Sequence, residues 1–143
     1  YRLSQVKNIV GIKEATGDLE RLRQIQALVA DDFILLSGDD ATTREFVLQG
    51  GHGSISVTAN VAPAQMAAMC TAALAGNIVE AERIDEQIEE LHRVLFIESN
   101  PIPVKWAVYK MGYCDNILRL PMTPLADDFQ DELLNVLNTV GIL

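Results

Sequence analysis

Hydrophobic positions along this chain follow two rhythms. Residues 8–13 hold a short run of Ile and Val punctuated by Gly11, and 33–37 a run of Phe, Ile and Leu; apolar runs of this kind, not strict alternation, are what strands covered on both faces require. Each run passes through a short polar stretch with a glycine and then into apolar residues at helical spacing. The first leads through Thr16 and Gly17 to Asp18, a good N-cap residue, and predicts a helix over 19–30. The second leads through Gly38, Asp39 and Asp40, with Asp40 expected as the cap, to a shorter helix over 41–48. A third pass alternates Ser54, Ser56 and Thr58 against Ile55 and Val57. It then runs through Asn60 and Pro63 into an Ala-rich helix ending at Gly76. Three strand–helix units in succession predict a parallel sheet and an α/β fold.

Beyond Gly76 the pattern is helical throughout. Asn77 followed by Glu80 resembles a capping box, and Ile78, Ala81, Ile84, Ile88, Leu91 and Leu95 recur on one helical face. Asn100 and Pro101 open a further helix stopping near Gly112. Leu120, Pro121 and Pro124 mark an extended connector, and residues 127–140 form a last amphipathic helix. The expected division is therefore strand–helix units over 1–76 and a helical region over 77–143. The first residue is Tyr1, not Met, and residues 1–6 read as the tail of a helix, so the chain is expected to be part of a longer one.

Composition narrows the function classes. At 143 residues with 49% hydrophobic and only 6% aromatic residues, the chain suits helices packed on parallel strands better than a β-sandwich. A net charge of -9, without a basic run, argues against nucleic acid as a partner. The longest strongly apolar helical stretch, 62–75, is too short to span a bilayer, so no membrane role and a cytoplasmic location are expected. Cys70 and Cys114 lack metal-ligand spacing and read as reduced thiols.

In parallel sheets and barrels, ligands meet the loops after the carboxyl ends of the strands. Lys13, Gly38 to Asp40, and Thr58 to Asn60 would then share one rim. Period two sets Ile9, Gly11 and Lys13 on one side of their strand and Val10 and Ile12 on the other. A strand-end lysine among apolar walls favours the free amine, which can attack a carbonyl; the plainer alternative is a lysine in a salt bridge or in water. Lys7, Lys105 and Lys110 read as solvated, the last two on a surface helix. Asp39 and Asp40 suit a helix cap plus a solvated neighbour better than a cation site. Gly50, Gly51, His52 and Gly53 precede a strand, so they read as a tight turn with His52 incidental. Glu89 and His92 have the spacing of one half of a carboxylate-bridged metal site, but the second copy is lacking and a solvated helix face is expected. No metal or cofactor is implied.

The order Gly11-Ile12-Lys13-Glu14-Ala15-Thr16-Gly17, Leu36-Ser37-Gly38-Asp39-Asp40, Gly51-His52-Gly53 and Ser56-Val57-Thr58-Ala59-Asn60 resembles the dihydrodipicolinate synthases. Asn100 to Lys105 and Leu118 to Pro121 continue the resemblance. It implies the C-terminal portion of a (β/α)8 TIM barrel, its last three βα units, plus a C-terminal helical region. It also implies a lyase that joins pyruvate to aspartate semialdehyde through an imine on lysine, on the route to diaminopimelate and lysine. Lys13 matches the imine lysine, Ile55 a strand position whose backbone borders pyruvate, and Gly38 a rim position near the second substrate. The family's proton-relay tyrosine, threonine region, carboxylate-binding arginine and lysine-feedback residues lie on earlier strands and have no counterpart here. The resemblance therefore implies little or no activity for this chain alone, association with the missing N-terminal part of the barrel, and a dimer or tetramer.

Three rivals stand beside this reading. N-acetylneuraminate lyase and 2-keto-3-deoxy acid aldolases share the lysine and pyruvate halves of the chemistry. A receiver-type signalling domain also combines strand-end aspartates with a lysine, but there the acids precede the lysine, whereas Lys13 precedes Asp39. A helical interaction module would use the face from Ile78 to Ile97.

Overall fold

A computed structural model describes residues 1–143. After a 3-10 turn at Arg2–Gln5, strand β1 (Gly11–Glu14) leads to helix α1 (Leu19–Gln26), and strand β2 (Ile34–Ser37) leads to helix α2 (Thr43–Leu48). The two strands are parallel and in register, with Lys13 opposite Leu36 and Glu14 opposite Ser37. The third expected strand is reduced to a single parallel bridge between Ser37 and Ser54. His52 N donates to Leu35 O at 2.8 Å and Ile55 N to Ser37 O at 2.8 Å, and Thr58–Asn60 then turn as a 3-10 helix. Helices α3 (Pro63–Leu74), α4 (Ile78–Glu86), α5 (Glu89–Val94), α6 (Ile102–Lys110) and α7 (Asp127–Thr139) complete the chain.

The chain forms two compact units, residues 1–56 with 68–83, and residues 57–67 with 84–143. In the first, Leu22 of α1, Leu35 of β2 and Phe46 of α2 are buried together, with Leu19, Ile25, Val29 and Phe33 against them. Val47, Ala73 and Ala81 make a smaller cluster. The turn before the third segment needs its glycines: Gly50 has φ 99°, and a Cβ on Gly51 would overlap the Phe46 ring. His52 is not incidental there, because its Nδ1 accepts the Leu35 amide at 3.1 Å.

In the second unit α7 lies against α5 and α6. Ile88, Leu91, Leu95, Trp106, Leu133 and Leu137 are almost wholly buried. Helix α6 is thus a core helix, not the surface helix its lysines suggested: Ile102, Val104, Trp106 and Ala107 are buried while Lys110 lies 4.9 Å above the Trp106 ring. His92 also departs from expectation. It is buried, with Nδ1 2.9 Å from Thr58 Oγ1 and Nε2 3.3 Å from Asp85 Oδ1, because the helical stripe that buries Leu91 and Leu95 carries it inward too.

Candidate active site

The two faces of the sheet differ, and the register says how. Ile12, Glu14, Leu35 and Ser37 share the face turned to α1 and α2, while Gly11, Lys13, Ile34 and Leu36 share the other. The second face is open: Ile34 and Ile55 are exposed large hydrophobic residues, and a groove of about 430 Å³ runs over Ile9, Gly11, Lys13, Leu36 and Ile55. Lys13 stands at its polar end, exposed within this chain.

Local chemistry fixes the end of β1. The buried Glu14 carboxylate turns under the sheet, where it accepts from Thr16 N at 3.2 Å and Thr16 Oγ1 at 3.0 Å and meets Arg21 Nε at 3.4 Å. This satisfies a carboxylate that would otherwise be costly to bury, and it curls residues 15–18 into a loop. Asp18 Oδ1 then accepts from Glu20 N at 2.9 Å and starts α1 as its N-cap. Gly38 N donates to Glu14 O at 2.7 Å, tying the strand ends together.

Gly38 is glycine for a steric reason. A Cβ there would stand 2.7 Å from Ala15 Cβ and 3.0 Å from Lys13 Cγ, so the aliphatic stem of Lys13 occupies the space a side chain would need. Lys13 and Gly38 are therefore in direct contact, and Ile55 lines the same groove. All three residues singled out from the sequence fall within one unit, at the carboxyl ends of neighbouring parallel segments. The expected cap at Asp40 does not form: Thr42 is the N-cap residue of α2 without a side-chain capping bond, Asp40 is buried, and Asp39 Oδ2 accepts from Thr42 N at 3.1 Å and Thr42 Oγ1 at 2.7 Å in the loop before it. Among the described residues, no group of three or more His, Cys, Asp or Glu side chains is placed to hold a metal ion.

Two features escaped the sequence reading. One is the buried Glu14 carboxylate beside Lys13, whose signal was an acid at a strand end two residues before a threonine. The other is a set of hydroxyls, Ser37, Thr43 and Ser54, joined beneath the rim. Small hydroxyl residues closing otherwise apolar strands were the available clue.

Two parallel strands each followed by a helix, with a lysine at the strands' carboxyl ends, are the repeating unit of parallel α/β folds, the (β/α)8 barrel among them. Residues 1–140 match the model of the Dihydrodipicolinate synthetase family, and the chain belongs to that family. It is 58% identical over 142 residues to a 4-hydroxy-tetrahydrodipicolinate synthase of Alcanivorax borkumensis, covering 99% of this chain and 48% of that one. It is 53% identical to the same enzyme of Escherichia coli, over 99% of this chain and 49% of the relative. Among solved structures, the Acinetobacter baumannii dihydrodipicolinate synthase, chloride-inhibited and complexed with pyruvate, superimposes with a TM-score of 0.96 at 46% identity. That match covers 99% of this chain and 49% of the other. The chain spans about half the length of the relatives it matches. Its fold is accordingly the C-terminal portion of the barrel with the helices that follow.

Proposed function

We propose that Lys13 is the nucleophile of a synthase that condenses pyruvate with aspartate semialdehyde, this chain supplying the C-terminal part of the catalytic barrel. The observation that carries the reading is the packing of the Lys13 stem over Gly38, at the strand carboxyl ends and above an apolar groove. The free amine adds to the ketone carbon of pyruvate, and the carbinolamine loses water to give an imine. Loss of a methyl proton gives an enamine, whose carbon attacks the aldehyde of the second substrate. Ile55 borders pyruvate through its backbone, and Gly38 faces the second substrate across the Lys13 stem.

The proton-transfer and carboxylate-binding groups come from the upstream half of the barrel, so this chain alone has little or no synthase activity; loss of general acid–base partners costs about 10²-fold or more. Residues 1–76 are the barrel portion and 77–143 the helical region in this reading. The complete enzyme is a cytoplasmic dimer or tetramer. Membership of the family removes the receiver-type and interaction-module alternatives. The names of the curated relatives favour the synthase over the sugar-acid aldolases.

Borohydride reduction with pyruvate tests the assignment in the chain joined to the upstream half of its Alcanivorax borkumensis relative. Mass spectrometry should find the reduced adduct on Lys13 and none in Lys13→Ala. An unmodified Lys13 in the joined protein sinks the proposal.

A further inference from the structure

Thr43 lies on the helix-facing side of the sheet, opposite Lys13, and its side chain is fully buried. Its hydroxyl is 3.0 Å from Ser37 Oγ, 2.8 Å from the Asp39 carbonyl oxygen and 3.3 Å from Ser54 Oγ. Ser37 Oγ also donates to Asp39 O at 2.9 Å and accepts from Asp39 N at 3.3 Å. The Asp39 carbonyl only accepts and takes protons from both Thr43 Oγ1 and Ser37 Oγ, which leaves Thr43 Oγ1 to accept from Ser54 Oγ, so the Asp39 carbonyl and Ser54 fix its place beside Ser37.

Those three neighbours flank the two rim positions of the candidate site. Ser37 and Asp39 bracket Gly38, and Ser54 precedes Ile55. The backbone link between β2 and this segment is short: His52 N donates to Leu35 O at 2.8 Å, Ser37 N to Gly53 O at 2.9 Å and Ile55 N to Ser37 O at 2.8 Å, around one bridge that stops at Ile55. A full strand ladder would hold Gly38 and Ile55 in register by itself. Here a side chain of α2 supplements the ladder from below.

We infer that Thr43 is a positioning residue for the pyruvate site, locking the Gly38 turn to the Ser54–Ile55 segment through a hydroxyl that touches no substrate. The inference rests on the reading of Lys13 as the imine lysine. A misplacement well below 1 Å at the rim weakens pyruvate capture while leaving the amine chemistry of Lys13 intact.

The test is borohydride trapping against pyruvate concentration, using the same joined protein. Thr43→Val should raise the half-saturating pyruvate concentration about ten-fold, with the rate at saturation changed less than about three-fold. Thr43→Ser, which keeps the hydroxyl, should stay within about two-fold of the parent. Ser54→Ala, which removes only the arm toward Ile55, should shift half-saturation in the same direction, and it decides the matter should Thr43→Val not fold. Parent-like half-saturation in Ser54→Ala and in a folded Thr43→Val overturns the inference, whatever happens to their melting temperatures. No adduct in the parent overturns the Lys13 reading, a different result from parent-like trapping in the variants.

Discussion

At the scale of single residues, the site depends on an absent side chain as much as on a present one. Gly38→Ala places a methyl group 2.7 Å from Ala15 Cβ and against the stem of Lys13, so Lys13 must move. Overpacking of this kind costs about 1–3 kcal/mol. Denaturant unfolding should show that loss, and trapping of pyruvate on Lys13 should slow about ten-fold or more because the amine is displaced from its aim. Leu22→Ala tests the other side of the sheet. Leu22 is 1% exposed between Leu35 and Phe46, so its truncation should cost about 2–5 kcal/mol in the same measurement. Lys13 was legible in the sequence because period two and strand-end position are local properties. Its contact with Gly38 was not, because it joins two strands twenty-odd residues apart in the chain.

At the scale of elements, the caps expected at Asp18 and Asn77 form. Asp18→Ala removes the bond to Glu20 N and should destabilise α1 by about 1 kcal/mol, read from urea midpoints. At the start of α4, Asn77 Oδ1 accepts from Glu80 N at 3.3 Å, and the Arg83 guanidinium holds the Glu80 carboxyl below its ordinary 4.5 through a direct hydrogen bond. A carboxylate whose folded-state value is depressed stabilises the fold above its unfolded value and loses that contribution as pH falls through the folded one. The melting temperature of Glu80→Gln should therefore lie slightly below the parent near neutral pH, and the difference should vanish on acidification below 4.5. The third strand was the element least faithful to its pattern. Ser54 to Thr58 alternate well, but the chain turns into Thr58–Asn60 after one bridge, and alternation carries no information about where a partner strand ends.

At the scale of the whole molecule, β1 has one strand neighbour, β2, and the face carrying Lys13 shows exposed Ile34 and Ile55. Unpaired strand edges and open apolar surface promote association. In size-exclusion chromatography with light scattering, the isolated 15.7 kDa chain should elute as an oligomer or bind the upstream half of a relative. A monodisperse monomer indifferent to that half contradicts this expectation. Sequence by itself determined the α/β class, the order of strands and helices, the cap at Asp18 and the candidacy of Lys13, because each follows from local propensity or from the periodicity of side chains. Only the tertiary structure decided that Gly38 makes room for Lys13, that Glu14 and His92 are buried with partners, that α6 is core, and that Thr43 joins two segments beneath the rim. Each of those rests on which distant residues meet, and burial and hydrogen-bond satisfaction are properties of the meeting, not of either residue alone.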